Sequence, residues 1–184
     1  RMQHSAVAQN GYLFIIAGSP DNAVGVSKVY SAQIKADGTI GSFSTLTDLP
    51  ATLWRLSSVA YNGYLFVTGG HNGAGATSII YSVAVKSDGT IGSWATLSLP
   101  ATLWLHSTTT SNGYLFVTGG HNGPNTTLST VYSAKINTDG TIGSWGTLAD
   151  LPTVRYGHSA STYNGYLFVT GGYNGSVNLS TVYS

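Results

Sequence analysis

The strongest pattern along the chain is a short stretch that is apolar at nearly every position, opens after an Asn-Gly pair and closes on glycine. In one occurrence it reads Tyr64-Leu65-Phe66-Val67-Thr68, followed by Gly69-Gly70. A strand with one wet face alternates apolar and polar residues, whereas this one does not, so it is predicted to be covered on both faces. The preceding stretch, Ser57 to Tyr61, predicts a partner strand, because Asn62-Gly63 is a strong short-range hairpin signal. Two more strands follow, one over about 79–86 and one around Trp94 to Leu97, with Asp88-Gly89 turning the chain between them and Pro100 closing the unit. The glycine pair after the second strand suits a close backbone approach, or a φ that a side chain would resist.

These four strands, A to D, recur. Asn-Gly-Tyr-Leu-Phe begins at Asn10, Asn62, Asn112 and Asn164, a period of 52, 50 and 52 residues. The middle step is shorter because Ser98-Leu99-Pro100 stands where the flanking copies have Thr47-Asp48-Leu49-Pro50 and Ala149-Asp150-Leu151-Pro152. The expected architecture is all-β, a single β-propeller segment over 1–184. Its four-stranded antiparallel blades lie at approximately 1–52, 53–102, 103–154 and 155–184, about three and a half blades in all. Fewer blades than a closed ring needs leave apolar faces uncovered, which predicts either a piece of a longer propeller or association of copies. A homo-oligomer, most simply a dimer of seven to eight blades joined through open blade edges, is the expected partner arrangement. The near-identity of the copies points to recent amplification or deliberate construction.

The segment Arg155-Tyr156-Gly157-His158-Ser159, followed by Tyr163-Asn164-Gly165-Tyr166-Leu167-Phe168-Val169-Thr170-Gly171-Gly172, resembles the kelch repeat. Tyr132 and Trp145, and Tyr183 in the last copy, resemble the later aromatic positions of that repeat. The likeness covers the whole chain, with departures. Tyr132 and Trp145 lie 13 positions apart, which predicts a longer C–D hairpin, and the first copy carries Ala17-Gly18 for the diglycine and Phe43 for the tryptophan, so its blade is expected to pack differently.

Composition narrows the function. Only 7% of residues are charged and the net charge is +1, so no field points at nucleic acid or an acidic membrane, and neither is an expected partner. Without cysteine there are no disulfides and no thiolate chemistry. Galactose oxidase, a copper enzyme on a kelch propeller, needs a Tyr–Cys crosslink that this chain cannot make. Glycoside hydrolysis needs two carboxyl groups about 5–10 Å apart. Here the only acids are Asp21, Asp37, Asp48, Asp88, Asp139 and Asp150, spread over turns and strand ends of different blades. No phosphate-cradling glycine loop opens a helix. The expectation is a non-enzyme without cofactor or metal. No apolar run approaches the roughly 18 residues of a bilayer span, and no leader opens the sequence, so it reads as soluble. Low charge with abundant Ser, Thr, Asn and Gly fits a secreted adhesive protein.

Strand order places the D–A and B–C loops together on one face. Aligned before strand A stand Met2, Trp54, Trp104 and Tyr156, with Arg55 and Arg155 close by. The B–C loops open with Ser19, His71, His121 and Tyr173, and Asn72 and Asn122 follow the two histidines. Flat apolar rings flanked by amide and imidazole groups suit a hydroxyl-rich ligand, so Trp54, Trp104, Tyr156, His71, His121, Tyr173, Asn72, Asn122, Arg55 and Arg155 are the candidate site for a glycan or peptide. The alternative is an architectural, self-assembling repeat with no small ligand, its aromatics packed between blades. His4, Leu56, His106 and His158 begin strand A, and the leucine in one copy argues for a structural ring bonded to neighbouring backbone. His106 and His121 are expected near each other. Asp37-Gly38, Asp88-Gly89 and Asp139-Gly140 read as plain hairpin turns, not calcium loops or Asp boxes.

Overall fold

The computed structural model describes every residue except 22, 124 and 125. The described residues form fifteen strands in four antiparallel sheets. Blade 1 comprises β1 (Ser5–Gln9), β2 (Tyr12–Ile16), β3 (Val29–Gln33) and β4 (Ser44–Thr45). Blade 2 comprises β5 (Ser57–Tyr61), β6 (Tyr64–Thr68), β7 (Thr77–Ala84) and β8 (Ala95–Leu103). Blade 3 comprises β9 (Ser107–Ser111), β10 (Tyr114–Thr118), β11 (Val131–Ile136) and β12 (Ile142–Thr147). Blade 4 has three strands, β13 (Ser159–Tyr163), β14 (Tyr166–Thr170) and β15 (Val182–Tyr183). Each sheet is a meander, as the hairpin signals require. The A–B turns put both central residues at positive φ, 48° at Asn62 and 81° at Gly63, the twist a two-residue hairpin favours.

Two strand bounds differ from the sequence expectation. The third strand of blade 2 starts at Thr77, and the fourth runs through Pro100 to Leu103 instead of stopping there. Proline is tolerated because β8 is the outermost strand of its sheet, with no ladder partner beyond it. A register shift between Thr77 and Ile79 lets β7 meet Ser98 and then Leu103, so the two-residue shortening of this copy is absorbed as extended chain.

The blades stack by their inner strands, β1 on β5, β5 on β9 and β9 on β13. Among the described residues there is no comparable packing of β13 on β1, so the four blades form an open arc. Strand B feeds two cores at once. Leu65 and Val67 pack with Phe14 and Ile16 of blade 1, while Phe66 packs with Leu115 and Val117 of blade 3. All of these are fully buried, which is why this strand lacks alternation.

A polar lock accompanies the apolar core at two of the three junctions. His106 Nε2 lies 2.8 Å from Thr68 Oγ1 of the preceding blade, and His158 Nε2 lies 2.8 Å from Thr118 Oγ1. His106 and His158 are therefore structural, but their partner is a side chain of the neighbouring blade, not backbone. Gly69 and Gly119 sit against these rings: an added Cβ would stand 2.8 Å from His106 Cε1 and from His158 Cε1 respectively. At the first junction all three residues change together. Ile16 replaces the threonine, Ala17 the glycine and Leu56 the histidine, and all three are buried. The first blade does pack differently, exchanging a hydrogen-bonded set for an apolar one of matched shape.

Candidate functional site

The D–A and B–C loops meet on one face, as strand order predicts. Isolated bridges tie Met2 to Ser19, Trp54 to His71, Trp104 to His121 and Tyr156 to Tyr173, so the aligned positions are structurally equivalent. In blades 2 to 4 the bridge brings a ring from the D–A loop beside a ring from the B–C loop of the same blade, and His71 and His121 also reach the next blade. The outcome is a continuous ribbon. Trp54 and His71 centroids are 4.4 Å apart, His71 and Trp104 5.1 Å, and Trp104 and His121 5.8 Å. His121 and Tyr156 follow at 4.1 Å, then Tyr156 and Tyr173 at 5.5 Å in edge contact. The rings are thus in contact along the whole run.

The candidate residues divide by exposure. His71, Trp104, His121, Tyr156 and Tyr173 are half-buried and present part of each ring outward. Trp54 is buried at 6% exposure, its indole lying over Gly25 of the first blade, where an added Cβ would stand 2.4 Å from Cε3. Arg55 reaches across Trp104, 4.6 Å from the ring centroid, and donates from Nε to Gln3 Oε1 at 3.0 Å. Arg155, expected beside it, is instead completely buried. Its Nη1 donates to the Gly171 carbonyl at 2.7 Å, its Nη2 to Thr181 Oγ1 at 3.2 Å, and the guanidinium covers the Tyr183 ring. A desolvated cation needs such partners, so Arg155 belongs to the blade interior and not to the ligand-facing set. The two arginines are also inequivalent. Arg155 aligns with Leu53 and Leu103, whose carbonyls accept from Gly18 and Gly70 as the Arg155 carbonyl accepts from Gly120. Arg55 aligns with Gln3, Leu105 and Gly157.

The polar groups of the face are set by their turns. Asn72 Oδ1 accepts from the Ala74 and Gly75 amides at 3.0 and 3.1 Å, closing the B–C loop. Asn174 and Asp21 do the same in their own blades, a role for side-chain amides and carboxylates that favours turns over binding. His71 Nδ1 accepts from the Gly73 amide at 3.0 Å, so the neutral ring carries its proton on Nε2. His121 is the opposite case: Nδ1 faces the Thr126 carbonyl at 3.2 Å and must be the donor, which leaves Nε2 an acceptor. Burial, aided by the Arg55 charge, lowers the His71 pKa and favours that neutral form. Between the B–C loops of blades 2 and 3 lies a cleft of about 310 Å³ floored by His71, Trp104 and Thr102 and walled by Gly75 and Asn122. Thr102 was not legible as a site residue, because only the extended β8 carries it there.

His106 does not join His121: it turns inward to Thr68 while His121 lies in the ribbon. Among the described residues no group of three or more His, Cys, Asp or Glu side chains is placed to hold a metal. At the opposite face Asp37, Asp88 and Asp139 each accept from the amide and hydroxyl of the threonine two residues on, closing the C–D turns. These bonds hold all three carboxyls below the usual aspartate range. No helix among the described residues is long and apolar enough to cross a membrane.

Four radial antiparallel sheets joined at their inner strands define a β-propeller. Its third and fourth blades match the kelch motif, over residues 105–133 and 155–184. The solved structures contain many similar folds. One, described as the structure of YjhT, superimposes with a TM-score of 0.72 at 17% identity, over 92% of this chain. That match spans 58% of the other chain's length, and at this identity the shared property is the fold. No curated protein matches the sequence. A kelch-repeat propeller is in general a binding or architectural module.

Proposed function

We propose that this chain is a non-catalytic binding module whose ligand surface is the ring ribbon over blades 2 to 4, and whose arc is completed by association of chains. The observation that carries the reading is the run of half-buried rings at 4.1 to 5.8 Å, with the cleft between His71 and Trp104 at its centre. A sugar presents one apolar C–H face and a rim of hydroxyls. The rings offer stacking surface, His71 Nε2 a donor and His121 Nε2 an acceptor, and Asn122 edges the cleft, so a neutral glycan fits better than a charged ligand. An extended peptide could use the same ribbon through its aromatic side chains.

The architectural alternative has its own support in Trp54, which is packed between blades and not available for stacking. The two readings separate on Trp104→Ala. Titrating neutral oligosaccharides while following tryptophan fluorescence is expected to give saturable binding that this variant weakens by at least about tenfold, while its thermal midpoint stays within a few degrees of the parent. Loss of folding in that variant, with no oligosaccharide bound by the parent, would establish the architectural role instead.

A further inference from the structure

The two ends of the arc carry opposite halves of one interface. At the first two junctions the Tyr and Phe of strand B in one blade pack with the next blade's Leu and Val. Tyr12 covers Gly89 and Tyr64 covers Gly140, so that an added Cβ at either glycine would strike the ring. In blade 4 the same positions are Tyr166, Phe168 and Thr170, of which Tyr166, at 63%, and Thr170 are exposed and Phe168 is half-buried. In blade 1 the receiving positions are also uncovered. A cleft of about 300 Å³ there is lined by Arg1, Ile15, Tyr30 and Phe43. Their equivalents in blade 3, Leu103, Val117, Tyr132 and Trp145, belong to the cluster that holds Phe66. Gly38, equivalent to Gly89 and Gly140, has open space over it.

The hydrogen-bonding groups are complementary as well. Around the central axis Gly157 N donates to Leu105 O, Leu105 N to Arg55 O and Arg55 N to Gln3 O, each at 2.8 to 3.0 Å. At the ends of this series stand the Gln3 amide and the Gly157 carbonyl, which make no backbone hydrogen bond among the described residues. Gly18, Gly70 and Gly120 donate to the next blade, while Gly172 has no such acceptor, and the matching carbonyl would be that of Arg1. The covarying set decides which blade the open face suits. Blade 4 presents Thr170-Gly171, the polar type that receives histidine at the second and third junctions, and blade 1 presents His4, whose Nε2 has no threonine. Had the end blades been of mixed type, one would show the Ile-Ala pair or the leucine.

Resting on the association of chains proposed above, we infer that two copies join head to tail, the Phe168 face of blade 4 docking on the Ile15–Tyr30 cleft of blade 1 in the other copy, with Thr170 bonding His4. The interface is heterologous, and two identical junctions close an eight-bladed ring about a twofold axis along the channel. The second copy is the favoured occupant because its face continues the internal interface group for group.

The test uses the whole chain. Its solution mass is measured by light scattering across a dilution series, for the parent, for T170I, for H4L and for the double variant. The parent is expected to be dimeric. Either single change leaves one polar group of the buried pair without its partner and is expected to weaken the dimer about tenfold. The double change reproduces Ile16 against Leu56 and is expected to restore most of that loss. Because the chain has no native cysteine, a second measurement asks for the same contact covalently. Ser5 Oγ and Ser58 Oγ are 2.6 Å apart at the first junction, so S5C with S58C should link within a chain on oxidation by diamide. The corresponding S159C with A6C should link two chains. A dimer unaffected by these changes, and not crosslinked by S159C with A6C, overturns the head-to-tail junction while leaving association standing. A parent that stays monomeric at every concentration overturns both.

Discussion

Lowering the pH from 7 to 5 is expected to remove about 4 kcal/mol of folding stability, read as a fall in the urea midpoint at the two pH values. The cause is the pair of junction histidines. Burial pushes the His106 ring down to about 3, with the His158 ring adding to the effect, and burial together with the Arg155 charge brings His158 down to about 4. Geometry explains the direction. In each ring Nε2 meets a threonine hydroxyl, while Nδ1 is buried with no partner, which a neutral ring tolerates as an unused acceptor and a protonated ring would not. Since the folded values lie below the unfolded value of about 6.5, the unfolded chain binds more protons between those limits. The stability is therefore complete above the unfolded value and is lost as pH falls, at about 1.4 kcal/mol per pH unit for each histidine. The aspartate turns, already held low, titrate below this window and do not contribute to it. Converting both junctions to the apolar set, T68I, G69A and H106L with T118I, G119A and H158L, is expected to flatten the profile.

Gly69→Ala and Gly119→Ala are each expected to destabilise the chain by about 3 kcal/mol, combining a left-handed backbone that resists a side chain with overpacking. Both glycines have φ near +50°, and the new methyl would stand 2.4 Å from Leu103 O in one case and 2.6 Å from Arg155 O in the other. Gly171 occupies the same position in blade 4, but its nearest atom would be Leu179 O at 3.6 Å. Gly171→Ala should cost only about 1 kcal/mol in the monomer, the backbone part alone. Ala17 shows that the position can accept a methyl when the facing residue is Leu56. G69A is therefore expected to be partly rescued by T68I with H106L, which removes the His106 Cε1 contact at 2.8 Å and leaves the backbone part, and denaturant unfolding of the four chains measures that coupling.

Much of this architecture was legible because it is local and repeated. The period, the Asn-Gly hairpins, the doubly apolar second strand and the Asp-Gly turns each depend on a few adjacent residues, and four copies display them against one another. The alignment of Trp54, Trp104 and Tyr156 with the B–C rings followed from strand order alone. What the sequence could not show depended on neighbours from another blade. Arg155 is placed on the ligand face by its position just before strand A, yet Gly171, Thr181 and Tyr183 enclose it. Trp54 looked equivalent to Trp104 but lies over Gly25, so only one of the two remains half-exposed. The leucine at 56 read as a sign that the histidine position tolerates change. The packing shows a substitution matched across a junction by Ile16 and Ala17, residues some 40 positions away in the chain. The sequence by itself determined the repeat, the strands and the loops that share a face, since hairpins and periodicity are properties of short stretches of chain. The tertiary structure alone decided which side chains remain exposed and which groups at the ends await a partner, because burial and inter-blade hydrogen bonds exist only once the blades are stacked.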